Sequence, residues 1–379
     1  MKTRRKKKSL RGLLVAIVLP LILVGLFQAL KGNQAAMDWW VFGVMAPVEQ
    51  WLGRVWSVFP RFSVGELMIA CVLIGGVVWL IWTVVLVILR RDGRQILRRT
   101  LAFVAAVLWI WAAFCWMWNA AYGAASFQER SGLQAEMFSV EELTQVTAYF
   151  AQQAADYSTQ VPRNEAGLFD EDMESLFDRG ADVYCVLSAK FPCLDLLPSV
   201  SAKPLFCSRL QSILGFTGMY FPFTGEANVN IDAPECLVPA TIAHEMAHQR
   251  MVASELEANF VGIAACVTSG DVSFQYSGYL MGLLQLCNAL YPVDAQAWRD
   301  IVAQYFTPQL AADWNDNNAY WAALESPLED AAEQAYDSFL KGNGQTLGVR
   351  SYGACVDLLV AYFGSEAALV AEEQQATAT

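Results

Sequence analysis

Thr241-Ile242-Ala243-His244-Glu245-Met246-Ala247-His248-Gln249 carries the pattern HExxH, and His244 and His248 are the only two histidines in the 379-residue chain. On a helix, positions i and i+4 share one face, so both imidazoles can reach a single ion. Glu245 then projects beside that ion, where a carboxylate can act as general base on an attacking water. The competing account is a chance match on an alanine-rich buried helix. With so few histidines in the chain, chance placement around a glutamate is the weaker account. Pro239 suits the first turn of the helix.

Two histidines leave a protein zinc site one ligand short. The third must be Asp, Glu or Cys. The nearest acids downstream are Glu255 and Glu257, in Ser254-Glu255-Leu256-Glu257-Ala258-Asn259. On one continuous helix His248 and Glu255 would stand roughly 10 Å apart along the axis, too far to share an ion with bonds near ~2 Å. Gln249 to Ala253 must therefore turn. Ser254 reads as the N-cap of a new helix, with Ser254-x-x-Glu257 as a capping box. That employs Glu257 structurally and leaves Glu255 as the favoured ligand. Both acids also suit a first turn through the helix dipole. Asn259 either buttresses a ligating histidine or lies on the helix surface.

The mean hydropathy is +0.32 and the net charge is -12. Residues 1–100 hold 15 Lys/Arg against 4 Asp/Glu, and residues 101–379 hold 10 against 33. A basic, apolar first part and an acidic second part indicate a membrane anchor followed by a solvated domain. The acidic part offers nothing to track a phosphate backbone, which excludes nucleic acid as an expected partner. After the basic head Met1 to Lys8, uncharged spans are expected at about 13–30, 67–89 and 101–122. The positive-inside rule puts the head and the Arg90–Arg99 loop in the cytoplasm, and residues 125–371 outside it. Residues 1–124 then form the anchor. The stretch 31–65, with Trp39, Trp40, Trp51 and Trp56, suits a membrane interface. Residues 372–379 are expected to be a disordered tail.

The outer domain reads as mostly helical. Ser139-Val140-Glu141-Glu142 is a capping box ahead of the stripe Leu143, Val146, Phe150 and Ala154. Asp170 to Lys190 reads as a further helical stretch. Gly218 to Ile231 changes period and predicts a hairpin around a glycine turn, with Pro222 marking an edge strand. An edge strand beside an HExxH helix can hold an extended peptide, although an ordinary small sheet reads the same way. The nine cysteines include no CxxC spacing. Cys185–Cys193 and Cys207–Cys236 are near pairs for disulfides, with buried thiols as the alternative.

The HExxH helix followed by Glu255-Leu256-Glu257-Ala258-Asn259 resembles the ExxA(D/N) signature of gluzincin-type peptidases, which the CAAX prenyl proteases share. More closely, the chain resembles a bacterial family of membrane proteins known only as a domain of unknown function. Four blocks carry that likeness: Gly218 to Asn228, the HExxHQ-to-EAN block, Tyr336 to Lys341, and Gly348 to Gly353. Met251 departs from the pattern, which has Gly in the turn after the helix. The resemblance implies a zincin-like α+β domain behind three transmembrane helices, with Zn2+ held by His244, His248 and Glu255 and with Glu245 as the base.

The expected function is hydrolysis of an extracytoplasmic peptide or protein by an enzyme seated in membrane lipid. An oxyanion donor is required, and Tyr276, Tyr279 and Tyr352 are the candidates. Tyr352 is favoured because it follows a Gly-x-Arg-Ser run. The alternative is a non-catalytic regulatory or scaffold protein with a structural metal. A transporter is disfavoured because the spans contain no charge to mark a pathway.

Overall fold

The computed structural model describes residues 11–90, 93–135, 137–196, 199–345 and 351–378. It is mostly helical, with one small mixed sheet. Two compact units emerge, Met1–Met45 with Val64–Ala124, and Ala46–Ser63 with Ala125–Thr379. Residues 46–63, assigned to the anchor on sequence grounds, therefore group with the second unit. Composition shows their aromatic richness but not which partner the helix packs on.

The first unit contains α1 (Arg11–Leu30) and α2 (Gln34–Trp40). After α3 (Ala46–Trp56), which belongs to the second unit, come α4 (Val64–Arg90) and α5 (Gly93–Met117). Helices α1, α4 and α5 are long and apolar enough to cross a membrane. The third starts earlier than its apolar run because Gln95 to Arg99 are good helix formers. It ends at Met117, and a 3-10 turn over Asn119–Gly123 replaces its expected last turn. Trp116 ties the unit together. Its indole N–H donates to the Leu23 carbonyl (3.1 Å), and its own carbonyl accepts from the Trp40 indole (2.7 Å).

The second unit continues with α6 (Phe127–Ser131), α7 (Val140–Ser158), α8 (Met173–Arg179), α9 (Cys185–Lys190), β1 (Lys203–Pro204), α10 (Ser208–Ile213), β2 (Gly218–Phe221) and β3 (Glu226–Val229). Then follow α11 (Val238–Gln249), α12 (Glu255–Thr268), α13 (Val272–Leu290), α14 (Ala295–Tyr305), α15 (Pro308–Ala322), α16 (Pro327–Gly342) and α17 (Ser351–Ala378). The Ser139 capping box forms as expected, and Leu143, Val146, Phe150 and Ala154 are buried. That stripe packs on α13 and α17, with Phe150 edge-on to Phe363. The stretch 170–190 is not one helix. It splits at Gly180, a weak helix former, into α8 and α9. At the other end α17 continues through the expected tail to Ala378, since Ala, Glu and Gln sustain a helix. All nine cysteines are unbridged thiols, so neither proposed pair forms a disulfide.

The hairpin forms in the register Gly218↔Val229 to Phe221↔Glu226, and β1 joins the far side of β3 in parallel. The order β1-β3-β2 leaves β2 at the edge, with Pro222 just past its end. Every residue of α11 is buried, and the helix is packed by α12, the sheet and α13. The HExxH helix is thus the centre of the second unit.

Candidate metal centre

Helix α11 is held from several directions. The Tyr184 hydroxyl donates to the Ala243 carbonyl at 2.7 Å. Arg250 follows the last turn, donating to the Met246 carbonyl (2.9 Å) and the Leu194 carbonyl (3.0 Å) with its guanidinium 3.8 Å from the Tyr184 ring centre. Burial pushes Arg250 down to about 10. Next stands Met251 at φ 58, the left-handed conformation for which the pattern has glycine. A side chain costs about 1–2 kcal/mol there. Hydrogen bonds fix the turn all the same. Arg130 donates to the Met251 carbonyl at 3.2 Å, and the Val252 carbonyl sits 2.7 Å from His248 Nδ1.

The turn brings α12 back across α11. At the crossing, a Cβ on Gly262 would lie 2.9 Å from the backbone N and Cα of His244, so only glycine allows this approach. The close crossing delivers Glu255 to the histidines. Its carboxylate oxygens stand 3.3 Å from His244 Nε2 and 3.8 Å from His248 Nε2. One donor atom from each of His244, His248 and Glu255 lies within 4.8 Å of the others. The His248 Nδ1 contact with the Val252 carbonyl directs Nε2 into that cluster.

Burial shapes the electrostatics. It pushes His248 down to about 4. It works against Glu255 too, but the hydrogen bond to His244 and the charges of both histidines outweigh it and hold that carboxyl at about 2. His244 moves up. Burial alone would lower it, but the bond to Glu255 and the nearby acids prevail. Asn259 lies beside His244 and also favours its charged form, although His244 Nδ1 has no well-directed hydrogen-bond partner.

Glu245 lies under the edge strand and close enough to His244 and Glu255 to interact with both electrostatically. A Cβ on Gly218 would meet its Oε1 at 2.4 Å, so the β2 backbone passes directly over this carboxyl. Burial pushes Glu245 up to about 8, and its Oε2 is buried without a hydrogen-bond partner among the described residues.

The expected capping box at Ser254 does not form, since the Ser254 side chain makes no cap hydrogen bond. Glu257 instead accepts the backbone N–H groups of Phe127 and Gln128, both at 2.9 Å, and anchors the start of α6. Two of the tyrosine candidates are engaged elsewhere. Tyr276 donates to Asp313, and the Tyr279 hydroxyl lies 3.4 Å from that of Tyr149. The side chain of Tyr352 lies outside the described residues. Another phenol stands at the site. Tyr336, on α16, donates to Glu255 Oε1 and is half-buried with its ring against Phe216. Its only sequence signal is its place in the Tyr336 to Lys341 block.

No curated protein and no solved structure matches the chain. A family model described as Protein of unknown function (DUF3810) matches residues 41–360, which include every residue of this cluster, and the chain belongs to that family.

Proposed function

We propose that the chain is a membrane-anchored zinc peptidase of the gluzincin type, acting outside the cytoplasm. The convergence of His244, His248 and Glu255, with Glu245 on the same helix, carries this reading. Two imidazoles and a carboxylate form a donor set that suits catalytic zinc and leaves a coordination position open. The unpartnered Glu245 Oε2 fits a group that awaits a partner in the working site. Zinc held there supplies a Lewis acid that polarises water and the scissile carbonyl.

The rest is done by the chain's own groups. Glu245 takes the proton of the attacking water and passes it to the leaving amine. Beside a cation it ionises more readily than in the free site. Tyr336, whose O–H donates to Glu255 in the free site, turns that O–H to the charge that develops on the carbonyl oxygen. The β2 edge can pair with an extended peptide as an added strand, next to Glu245. Placement of residues 125–371 outside the cytoplasm rests on the basic head and the basic 90–99 loop.

The test combines metal analysis of the purified full chain with a substrate-trapping screen on Glu245→Gln. Absence of zinc, or undiminished hydrolysis by Glu245→Gln, sinks the proposal. One observation favours a second reading, in which the metal only braces the fold: His244, Glu245, His248 and Glu255 are all buried. A zinc-directed hydroxamate decides between the two. Binding requires an open coordination position, and failure to bind zinc-loaded protein favours bracing.

A further inference from the structure

Helix α3 inverts the usual arrangement of a surface helix. Its buried face is Ala46, Glu49 and Gly53, and the opposite face exposes Val48, Trp51 and Val55. The exposed series runs on past the helix through Val58, Phe59 and Phe62. A glutamate is fully inside while Trp51 is 59% and Val58 69% exposed. Scattered exposed apolar residues are ordinary, but a continuous stripe of six over fifteen residues marks an interaction surface.

The inner face is firmly fastened to the hairpin of the candidate centre. The Tyr220 hydroxyl, on β2, donates to Glu49 at 2.7 Å. A Cβ on Gly53 would lie 2.7 Å from the Gly225 carbonyl oxygen in the hairpin turn. That carbonyl also faces the side-chain amide of Gln249, the last residue of α11, at 3.4 Å. Buried Lys203 donates to the Trp56 carbonyl (2.7 Å), where the C-terminal end of a helix favours a cation, and to Glu226 of β3 (2.5 Å). Arg61 then pairs with Asp178 at 2.9 Å and with Glu174 at 3.1 Å.

The occupant of the outer face follows from chain continuity. Ser63 is joined directly to Val64, the first residue of the span Val64–Leu89. The stripe therefore ends one residue from a helix that is apolar enough to cross a bilayer. Its mix of Trp, Phe and Val suits the boundary between headgroups and acyl chains.

We infer that residues 46–63 form an interfacial segment whose Val48–Trp51–Val55–Phe59–Phe62 stripe lies in the lipid surface while Glu49, Gly53 and the Trp56 carbonyl hold the β2–β3 hairpin. The segment ties the edge strand to the membrane plane. If the peptidase reading also holds, the peptide bonds offered to Glu245 are those near the bilayer surface.

The test places photoreactive p-benzoylphenylalanine at Trp51, at Phe59 or at Phe206 in the full chain, in native membranes. Phe206 is 93% exposed on another part of the same unit and serves as control. After illumination, mass spectrometry should find phospholipid adducts at positions 51 and 59, with at least tenfold lower yield at 206. Adducts with a second copy or another protein at 51 and 59 overturn the inference, as do absent adducts or equal lipid yields at all three positions. Thermal unfolding of each variant confirms that it is folded. Zinc content is read separately, so lost metal binding counts against the peptidase and missing lipid adducts count against the interfacial segment.

Discussion

Gly262→Ala tests the crossing that assembles the centre. The added Cβ would stand 2.9 Å from the backbone N and Cα of His244. Carbon contacts normally open at about 3.5 Å, so the helices must separate by roughly 0.6 Å. Backbone atoms cannot swing aside as a side-chain tip would. Overpacking of this kind costs about 1–3 kcal/mol, and alanine offsets about 0.5–1 kcal/mol of it through helix propensity. At roughly 2–4 °C per kcal/mol for a unit of this size, the unfolding temperature should fall by a few degrees. The separation also moves Glu255 on α12 away from the histidines on α11. Metal sites tolerate about 0.2 Å in ligand distance, so zinc affinity should drop by at least about tenfold. Competition with a chromophoric chelator measures that affinity on the purified full chain, and thermal unfolding measures stability. Gly282→Ala is the control, because its Cβ would lie 2.4 Å from the Phe150 ring of α7, which carries no candidate ligand, and meet α12 only at the Ile263 side chain, at 3.3 Å. It should lose stability and keep zinc affinity. If Gly262→Ala also keeps wild-type affinity, the close crossing is not what delivers Glu255.

Glu245→Gln should retain zinc and an unfolding temperature at least that of the wild type, while turnover of a trapped substrate falls by about 10²–10⁴-fold; unchanged turnover excludes Glu245 as the base. Tyr336→Phe should lower kcat by about 10²–10³-fold with little change in KM, as loss of an oxyanion donor does, and a normal kcat assigns the role elsewhere. Glu257→Gln weakens two charge-assisted bonds to the start of α6, at about 1.5–3 kcal/mol each when fully lost. It should unfold at lower temperature and still bind one zinc, whereas Glu255→Gln should lose the metal; the opposite pattern would exchange the two roles.

What was legible in the sequence was local. The pairing of His244 with His248 follows from helix pitch, and the break before Glu255 follows from bond lengths. The hairpin followed from a change of period, and the three apolar helices from run length. What escaped depends on distant parts of the chain. Glu257 looked like the end of a local capping box, but its partners lie 130 and 129 residues away. Tyr336 reaches Glu255 across 81 residues of sequence, and no spacing rule connects them. The turn at Met251 also hid its conformation. A methionine gives no sign of a left-handed residue, and the turn is stabilised by Arg130, far upstream. Composition marked residues 31–65 as aromatic and suited to a membrane interface, but it did not show that β2 would bring Tyr220 to Glu49.

Glu245 is the strongest argument against a purely bracing metal. A metal that only joined α11 to α12 would need His244, His248 and Glu255, and nothing from their neighbour. Yet an acid is kept at Glu245, 4% exposed, with one oxygen unpartnered and its pKa pushed up to about 8 by burial. The strand above it can pass only because position 218 has no side chain. An uncharged residue of similar size at 245 would relieve the desolvation without disturbing the ligands. An acid held in such a place carries a desolvation cost, and perturbed groups of this kind gather where chemistry is done. The same strand is the one edge of the sheet that passes over that acid, so a peptide added to it would run alongside the base. Tyr336 comes to the Glu255 carboxylate from a helix that is itself only partly buried. Bracing leaves Glu245, the edge strand and Tyr336 without a task, whereas the proposed hydrolysis would give each of them one.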